Sequence, residues 1–521
     1  MKKLITSLFA LAVMATASAQ MNGNQARVYA YDLNVNNETK VVTFKTNTVA
    51  KTAKVIIDGI TEEITATSTD GKNWTATIEP TTEFSADVEY NWSVEVSAPA
   101  VQSFTEVYNS GNNGFDLYRS YGLVVDQSPE SKYFGRAYMA HQATSGSNVP
   151  VGMYTFTPEL MIENGGNPYT ACDMIGINEA TAGTSPADMC ISDDGRIFMS
   201  NTSSAYYGVY YINPDNFSNS AVFQNITRDA NNYIVDKTTG EHVAGKSAGV
   251  TTRGYGNETV LITADNTYYS TNYAFSLNNY NIGSNNSWNG APTSIYGNGT
   301  NKLPYLDAEG KTNKVSFLNA NHSLDATTNG IWVVQNRTTP ALSNPTLFYY
   351  SEKTGHVEYF YIDATSNKSA ALAVNESLGL VAHTIVNDAN ATIMQYTEDN
   401  EGHITMNQIS KGNDMASLGS KADAMDFDYA GNLYAVTSGN EIMSVYALPD
   451  ALVGPNTRVT PAKKSLTISF TQGEIEATGI ESIEAANAPV EYYNLQGVKV
   501  ENPSNGIFIK KQGGRTSKVV L

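Results

Sequence analysis

The sequence predicts an all-β protein in three parts: an N-terminal antiparallel sandwich, a six-bladed β-propeller, and a small β domain at the C-terminal end. Three observations carry this. Apolar residues alternate along short runs throughout the chain, and no stretch after residue 20 repeats with helical periodicity. A strand–turn–strand unit recurs six times between residues 115 and 450. The composition, with 40 Gly, 32 Tyr and abundant Asn, Thr and Ser, supplies turn formers and strand formers in bulk. A chain of 521 residues exceeds what one core organises, so more than one domain is expected.

Residues 1–19 read as a signal peptide: Lys2 and Lys3, an apolar stretch from Leu4 to Met14, then Ala17-Ser18-Ala19 for the peptidase. Export is expected, placing the mature chain outside the cell or on its outer surface. No Cys follows that motif to accept a lipid, and no later apolar run approaches the roughly 20 residues of a transmembrane segment.

Residues 26–98 form the first domain. Strand-like runs such as "KVVTFKTN", "KTAKVIIDG" and "KNWTATIEP" are separated by Asn, Asp, Gly and Pro at short intervals, the spacing of a small antiparallel sandwich. Trp74 and Trp92 are expected in its core. The domain resembles the Ig-like modules that precede larger units in bacterial surface proteins.

The propeller is expected over 110–470. "YGLVVDQSPESKYFGRAYMAHQ" is echoed by "ADMCISDDGRIFMSNTS", "AGVTTRGYGNETVLITADN", "HSLDATTNGIWVVQNR", "AALAVNESLGLVAHTIV" and "DAMDFDYAGNLYAVTSG". The turn positions Gly135, Gly195, Asn257, Gly330, Gly379 and Gly431 lie 60, 62, 73, 49 and 52 residues apart. A third strand follows each, as in "GVYYINPD" and "IMSVYALPD". One such sheet cannot bury both faces alone, and radial stacking covers them. The recurring D-x-x-G-x-hydrophobic-hydrophobic-x-[TS] pattern resembles divergent propellers of the NHL and gluconolactonase-type groups, a likeness that implies fold and is silent on activity. "SLTISF" reads as a further strand completing a blade or lying beside it.

The ending, 481–521, parses as a hairpin and a third strand, too small for a core of its own. Tyr493-Asn494-Leu495-Gln496-Gly497, Asn505-Gly506-Ile507-Phe508-Ile509 and the terminal Lys518-Val519-Val520-Leu521 resemble the C-terminal sorting domains of Bacteroidetes proteins exported by the type IX secretion route. That resemblance implies a partner, the secretion machinery, and leaves the propeller as the working part.

With 51 acidic against 32 basic residues the chain carries a net charge of −19, which disfavours nucleic acid and anionic lipid as partners. The two cysteines leave two readings open: a Cys172–Cys190 bridge, or Cys190 as a buried thiol in an apolar strand. Propeller sites gather where the inner strands meet the axial channel. Aligning the units by their turns puts Tyr121, Asp188 and Asp423 at equivalent positions near that mouth, with Arg119, Arg253 and His322 a residue or two away. These six are the candidate ligand-binding residues; Asp188 and Asp423 could instead bond to backbone at the strand starts. Calcium is the ion such carboxylates could take; no other cofactor is expected. The gluconolactonase resemblance would require a Glu beside an Asp and two Asn, and the first unit offers no Glu there. No G-x-S-x-G elbow occurs, and the six histidines show no H-x-x-x-H or H-E-x-x-H spacing. Tyr- and Asn-rich loops suit sugars or polypeptide. The expected function is a non-enzymatic secreted or cell-surface binding protein taking a glycan or protein ligand; the alternative is a hydrolase or lyase of lactones or polysaccharides using a channel-mouth metal ion.

Overall fold

The computed structural model describes residues 24–79, 81, 83–85, 87–113, 122–141, 152–164, 186–201, 208–230, 234–244, 246–266, 276–289, 292–296, 302–306, 312–316, 321–336, 345–362, 371–384, 391–408, 422–437, 442–468, 489–512 and 515–521. The expected signal peptide, Cys172, Arg119 and Tyr121 lie outside them, as does the side chain of His322.

Two burial patterns distinguish the units. In the sandwich, Val41–Thr46 and Thr52–Ile57 alternate buried with exposed residues, because each strand has one face on the core and one in water. One sheet joins Ala30–Asn36, Val41–Thr46 and Asn73–Thr77; the facing sheet contains Thr52–Ile57, Ile64–Thr65 and Trp92–Ser97. Trp74 and Trp92 are buried between them, Trp74 stacked on Phe44 with ring centroids 6.3 Å apart. In the middle region, strands such as Ile197–Asn201, Leu380–Thr384 and Leu433–Thr437 are buried along their whole length. A strand covered on both faces reads as a continuous apolar run, which is why these units lack clean alternation.

Six sheets are arranged about one axis. Their innermost strands are Gly122–Val125, Pro186–Ile191, Lys246–Arg253, Asn321–Ala326, Leu372–Asn375 and Ala422–Phe427, here blades one to six. Each touches the next, and the sixth returns to the first. The chain is an all-β protein built around a closed six-bladed propeller. All six repeat turns connect the first and second strands of a blade. At the turn of blade six, Asp428 accepts the N–H groups of Ala430 and Asn432 (3.0 and 2.8 Å), and Gly431 takes a φ of 85° that a side chain would strain. In blade five Asn375 accepts the N–H of Leu378 (3.1 Å) before Gly379, so the repeated D-x-x-G signal is a local Asx turn.

Two segments depart from the sequence reading. Blade six takes its outer strand from Thr105–Asn109, upstream of the expected propeller start, closing the ring by pairing the two ends of the propeller. After blade six the chain leaves it: Thr457–Pro461 pairs with Trp92–Ser97 and Leu466–Thr467 with Glu89–Tyr90, so "SLTISF" completes the sandwich and no blade. Its apolar residues Leu466 and Ile468 fill the sandwich core, which would otherwise lie open.

That return crossing locks the two units together. Arg27, 4% exposed, donates to Asp450 (3.1 Å) and to the carbonyls of Leu448, Gly454 and Pro455 (3.2, 2.9 and 2.9 Å). Asn432 and Asn456 accept the N–H groups of Arg27 and Val28, both at 2.8 Å. Burial pulls the Arg27 pKa down while Asp450 opposes it. At the C-terminal end, Glu491–Tyr493, Lys499–Val500, Ile507–Gln512 and Arg515–Val520 form a four-stranded sheet, one strand more than expected. None of its described residues is buried; Leu495 and Val498 are each 60% exposed.

Candidate functional site on the propeller axis

The six inner strands enclose a cavity of about 350 Å³. Its walls alternate apolar residues with hydroxyls from Ser128, Ser192, Thr251, Thr252 and Ser323. Five carboxylates face it, those of Asp188, Asp193, Asp325, Glu376 and Asp426, and none of the described residues lining it is cationic.

The three deeper carboxylates join neighbouring blades. Asp188 Oδ2 accepts the N–H of Val250 in blade three (3.0 Å) and of Leu324 in blade four (3.1 Å), while its Oδ1 accepts the Ser323 hydroxyl (3.1 Å). Asp325 Oδ2 accepts the N–H of Val374 in blade five (2.9 Å). Asp426 Oδ2 accepts the N–H of Val125 in blade one (2.7 Å), and Oδ1 the N–H of Phe427 (2.7 Å) and the amide of Gln127 (3.2 Å). An inner strand offers N–H groups toward the axis that no further strand can pair, and these acids satisfy them.

Burial governs their ionisation. Desolvation pushes Asp188 up to about 8 against the pull of its three donors, and Asp325 to about 7, with Glu376 adding repulsion. Burial, then the charge of Asp325, drives Asp426 well above the carboxylate range. At the rim, Glu376 and Asp193 are exposed. Glu376 accepts the N–H of Thr328 through both oxygens (3.0 and 3.1 Å), and burial followed by repulsion from Asp194 raises Asp193.

Of the sequence candidates, Asp188 lines this cavity; Arg253 and Asp423 do not. Arg253 is the last residue of its strand, beyond Thr251 and Thr252, and its guanidinium grips Glu352 with two bonds of 2.8 and 2.7 Å. Asp423 occupies a register shift between Ala422 and Ala424; the corresponding shift in blade two falls at Ala187, so Asp423 aligns with Ala187 and Asp188 with Ala424. A one-residue offset turns a side chain to the opposite face. Asp325 and Asp426 were missed. Their signal is an Asp inside an otherwise apolar inner strand, "SLDA" and "AMDF", which must find a partner when buried.

Calcium requires six to eight oxygens converging on one point. Here the oxygens of Asp188 and Asp426 are turned onto N–H and O–H donors, and among the described residues no three His, Cys, Asp or Glu side chains converge on a metal position. The residues do not fit the ion. Cys190 is a free buried thiol packed with Phe198 and Val209, its pKa pushed up by burial. No helix among the described residues is long and apolar enough to cross a membrane.

No protein-family model and no curated protein matches the chain. Solved structures similar to it include a structural-genomics protein of unknown function from Bacteroides thetaiotaomicron, 10% identical over 82% of this chain and 99% of that one, with a TM-score of 0.38. Hydrazine synthase from Kuenenia stuttgartiensis is 10% identical over 65% and 97% of the two chains, at a TM-score of 0.32. The β-propeller domain of Cps50 (Swd1) from Myceliophteria thermophila is 9% identical over 63% and 97%, at a TM-score of 0.31. The ring rests on this chain's own strand pairings.

Proposed function

We propose that this chain is a non-enzymatic binding protein, exported to the cell surface or the medium, whose propeller takes a glycan or polypeptide ligand at the axial cavity. One observation carries the reading: a cavity of about 350 Å³ lined by five carboxylates, five hydroxyls and, among the described residues, no cation. The rim carboxylates Glu376 and Asp193, with the hydroxyls of the wall, leave acceptors that suit ligand groups that donate, sugar hydroxyls or a basic side chain. The deep carboxylates are held by backbone donors, so they form a rigid, prearranged wall. Glu376 and Asp193 at the rim are the groups an entering ligand meets first. The exposed C-terminal sheet fits an export address separate from this site, as its resemblance to sorting domains implies.

The test is a screen of the full chain against arrays of neutral and basic glycans and of lysine- and arginine-bearing peptides. A captured ligand whose affinity falls about tenfold in Glu376→Gln with Asp193→Asn supports the reading. Turnover of a lactone or glycoside that disappears in Asp188→Asn, in a protein still folded, would overturn it in favour of an enzyme.

A further inference from the structure

A second, larger concavity lies where the sandwich meets blade one. Three stretches far apart in sequence form it: Tyr31, Leu33 and Lys45 from the sandwich; Lys132, Tyr133, Phe134 and Arg136 from the first turn of the propeller; Lys463 and Lys464 from the return segment. Its volume is about 620 Å³. Five cationic side chains line it against two acidic ones, Asp32 and Glu163, in a protein whose net charge is −19.

The cations fall into two sets. Lys45, Lys132 and Arg136 are held by Asp32, Asp215 and Glu163 at 2.9, 2.7 and 2.8 Å. Lys463 and Lys464 are exposed and make no ion pair among the described residues. Aromatic groups share the same wall. Arg136 lies 4.1 Å from the Tyr133 ring centroid and the Lys132 ammonium 5.0 Å from it, while the Tyr133 hydroxyl donates to Asp215 at 2.6 Å. Phe134 packs edge-on against Tyr429, 5.2 Å between centroids, which fixes the turn that carries them. Clefts between structural units are preferred ligand positions, and the Arg27 network ties together the two units that form this one.

We infer that this groove binds an acidic saccharide, a glycan segment bearing carboxylate or sulfate groups. Lys463 and Lys464 supply ammonium groups with no ion pair among the described residues, and Tyr31 and Tyr133 supply aromatic surface beside them for the C–H groups of the sugar. A neutral sugar would leave the lysines without partners, and a simple anion would not use the rings. The inference goes beyond the axial reading: the two sites share no lining residue, so either can fail alone.

Calorimetric titration of the full chain with an oligogalacturonate and with a heparin-derived hexasaccharide separates the carboxylate from the sulfate source; a malto-oligosaccharide and a poly-glutamate peptide are the controls. Binding of at least one acidic saccharide is expected, weakened at least tenfold in the Lys463→Glu, Lys464→Glu double variant and reduced by added salt. Both substitutions are on exposed residues, and an unchanged melting temperature shows that the fold is kept. Tyr133→Phe, which loses the bond to Asp215 and retains the ring, should keep most of the affinity. The inference is overturned if neither acidic saccharide binds, if the double variant binds as the wild type does, or if the neutral sugar or poly-glutamate binds as well as the acidic saccharides.

Discussion

The axial cavity is lined by carboxyl groups and the seam groove by cations, in one acidic chain. On the axis, five carboxylates face a space with no cation among the described residues, and the three deepest are bonded to strand N–H groups of neighbouring blades. At the seam, five cations surround a space with two acids, and two of the lysines make no ion pair among the described residues. The contrast teaches what each charge does. The axial acids are structural first, because a ring of inner strands leaves backbone donors that only side chains can satisfy. Lys463 and Lys464 make no ion pair among the described residues, so their clustering against a net charge of −19 is a property of the surface and of what meets it.

The largest expected effect is that of pH, because several axial and turn acids act together. Asp188 is raised to about 8, Asp325 and Asp428 to about 7 and Asp126 to about 6, each chiefly by burial. In the unfolded chain these carboxyls release their protons near the ordinary value of about 4. Between about pH 4 and 8 the folded state therefore binds more protons than the unfolded one, and stability falls as pH rises. The unfolding free energy from urea denaturation, followed by tryptophan fluorescence, should drop between pH 5 and pH 8 by an amount on the order of a few kcal/mol, and the midpoint should fall with it. A midpoint that rises over this interval would show that the axial acids are ionised in the fold.

Arg27→Ala comes next. It removes the guanidinium that ties Asp450 to three carbonyls at the seam, and a loss of about 3 kcal/mol is expected in urea denaturation. Groove binding should weaken with it while the axial ligand is kept. Equal loss of both ligands would mean that the two sites are not independent.

How much of this was legible follows from the range of each signal. The blade turns were legible because Asp428 through Gly431, or Asn375 through Gly379, settle their geometry within five residues. The sandwich strands were legible because one-sided burial writes an alternation into the sequence. The ring closure was not, since Asn109 pairs with Ser444 and nothing local marks either as the other's partner. The axial acids were half legible: Asp188 was found, the register shift at Asp423 hid Asp426 in the same strand, and Asp325 was passed over as one acid in an apolar run. The groove was invisible, because Lys45, Lys132 and Lys463 meet only after the two units dock.

A smaller effect separates the roles of Asp188. Asp188→Ala leaves the N–H groups of Val250 and Leu324 without an acceptor in a buried place, a cost of about 2 kcal/mol in the unfolding free energy from urea denaturation. Asp188→Asn retains one acceptor oxygen and should cost about half as much. If the two variants behave alike, the bonds between blades contribute little. The smallest effect belongs to the groove: the Lys463→Glu, Lys464→Glu variant should change stability by less than about 0.5 kcal/mol, as befits exposed residues without partners. A larger loss would make those lysines part of the fold and remove the contrast.

The most direct test of the account is diffraction from the full chain crystallised with the ligand that the arrays capture. The predicted result is six inner strands in a closed ring, with ligand density on the axis within hydrogen-bond reach of Asp325 or Glu376. Inner strands that fail to close, or that ligand's density confined to the outer faces of the blades, would contradict it.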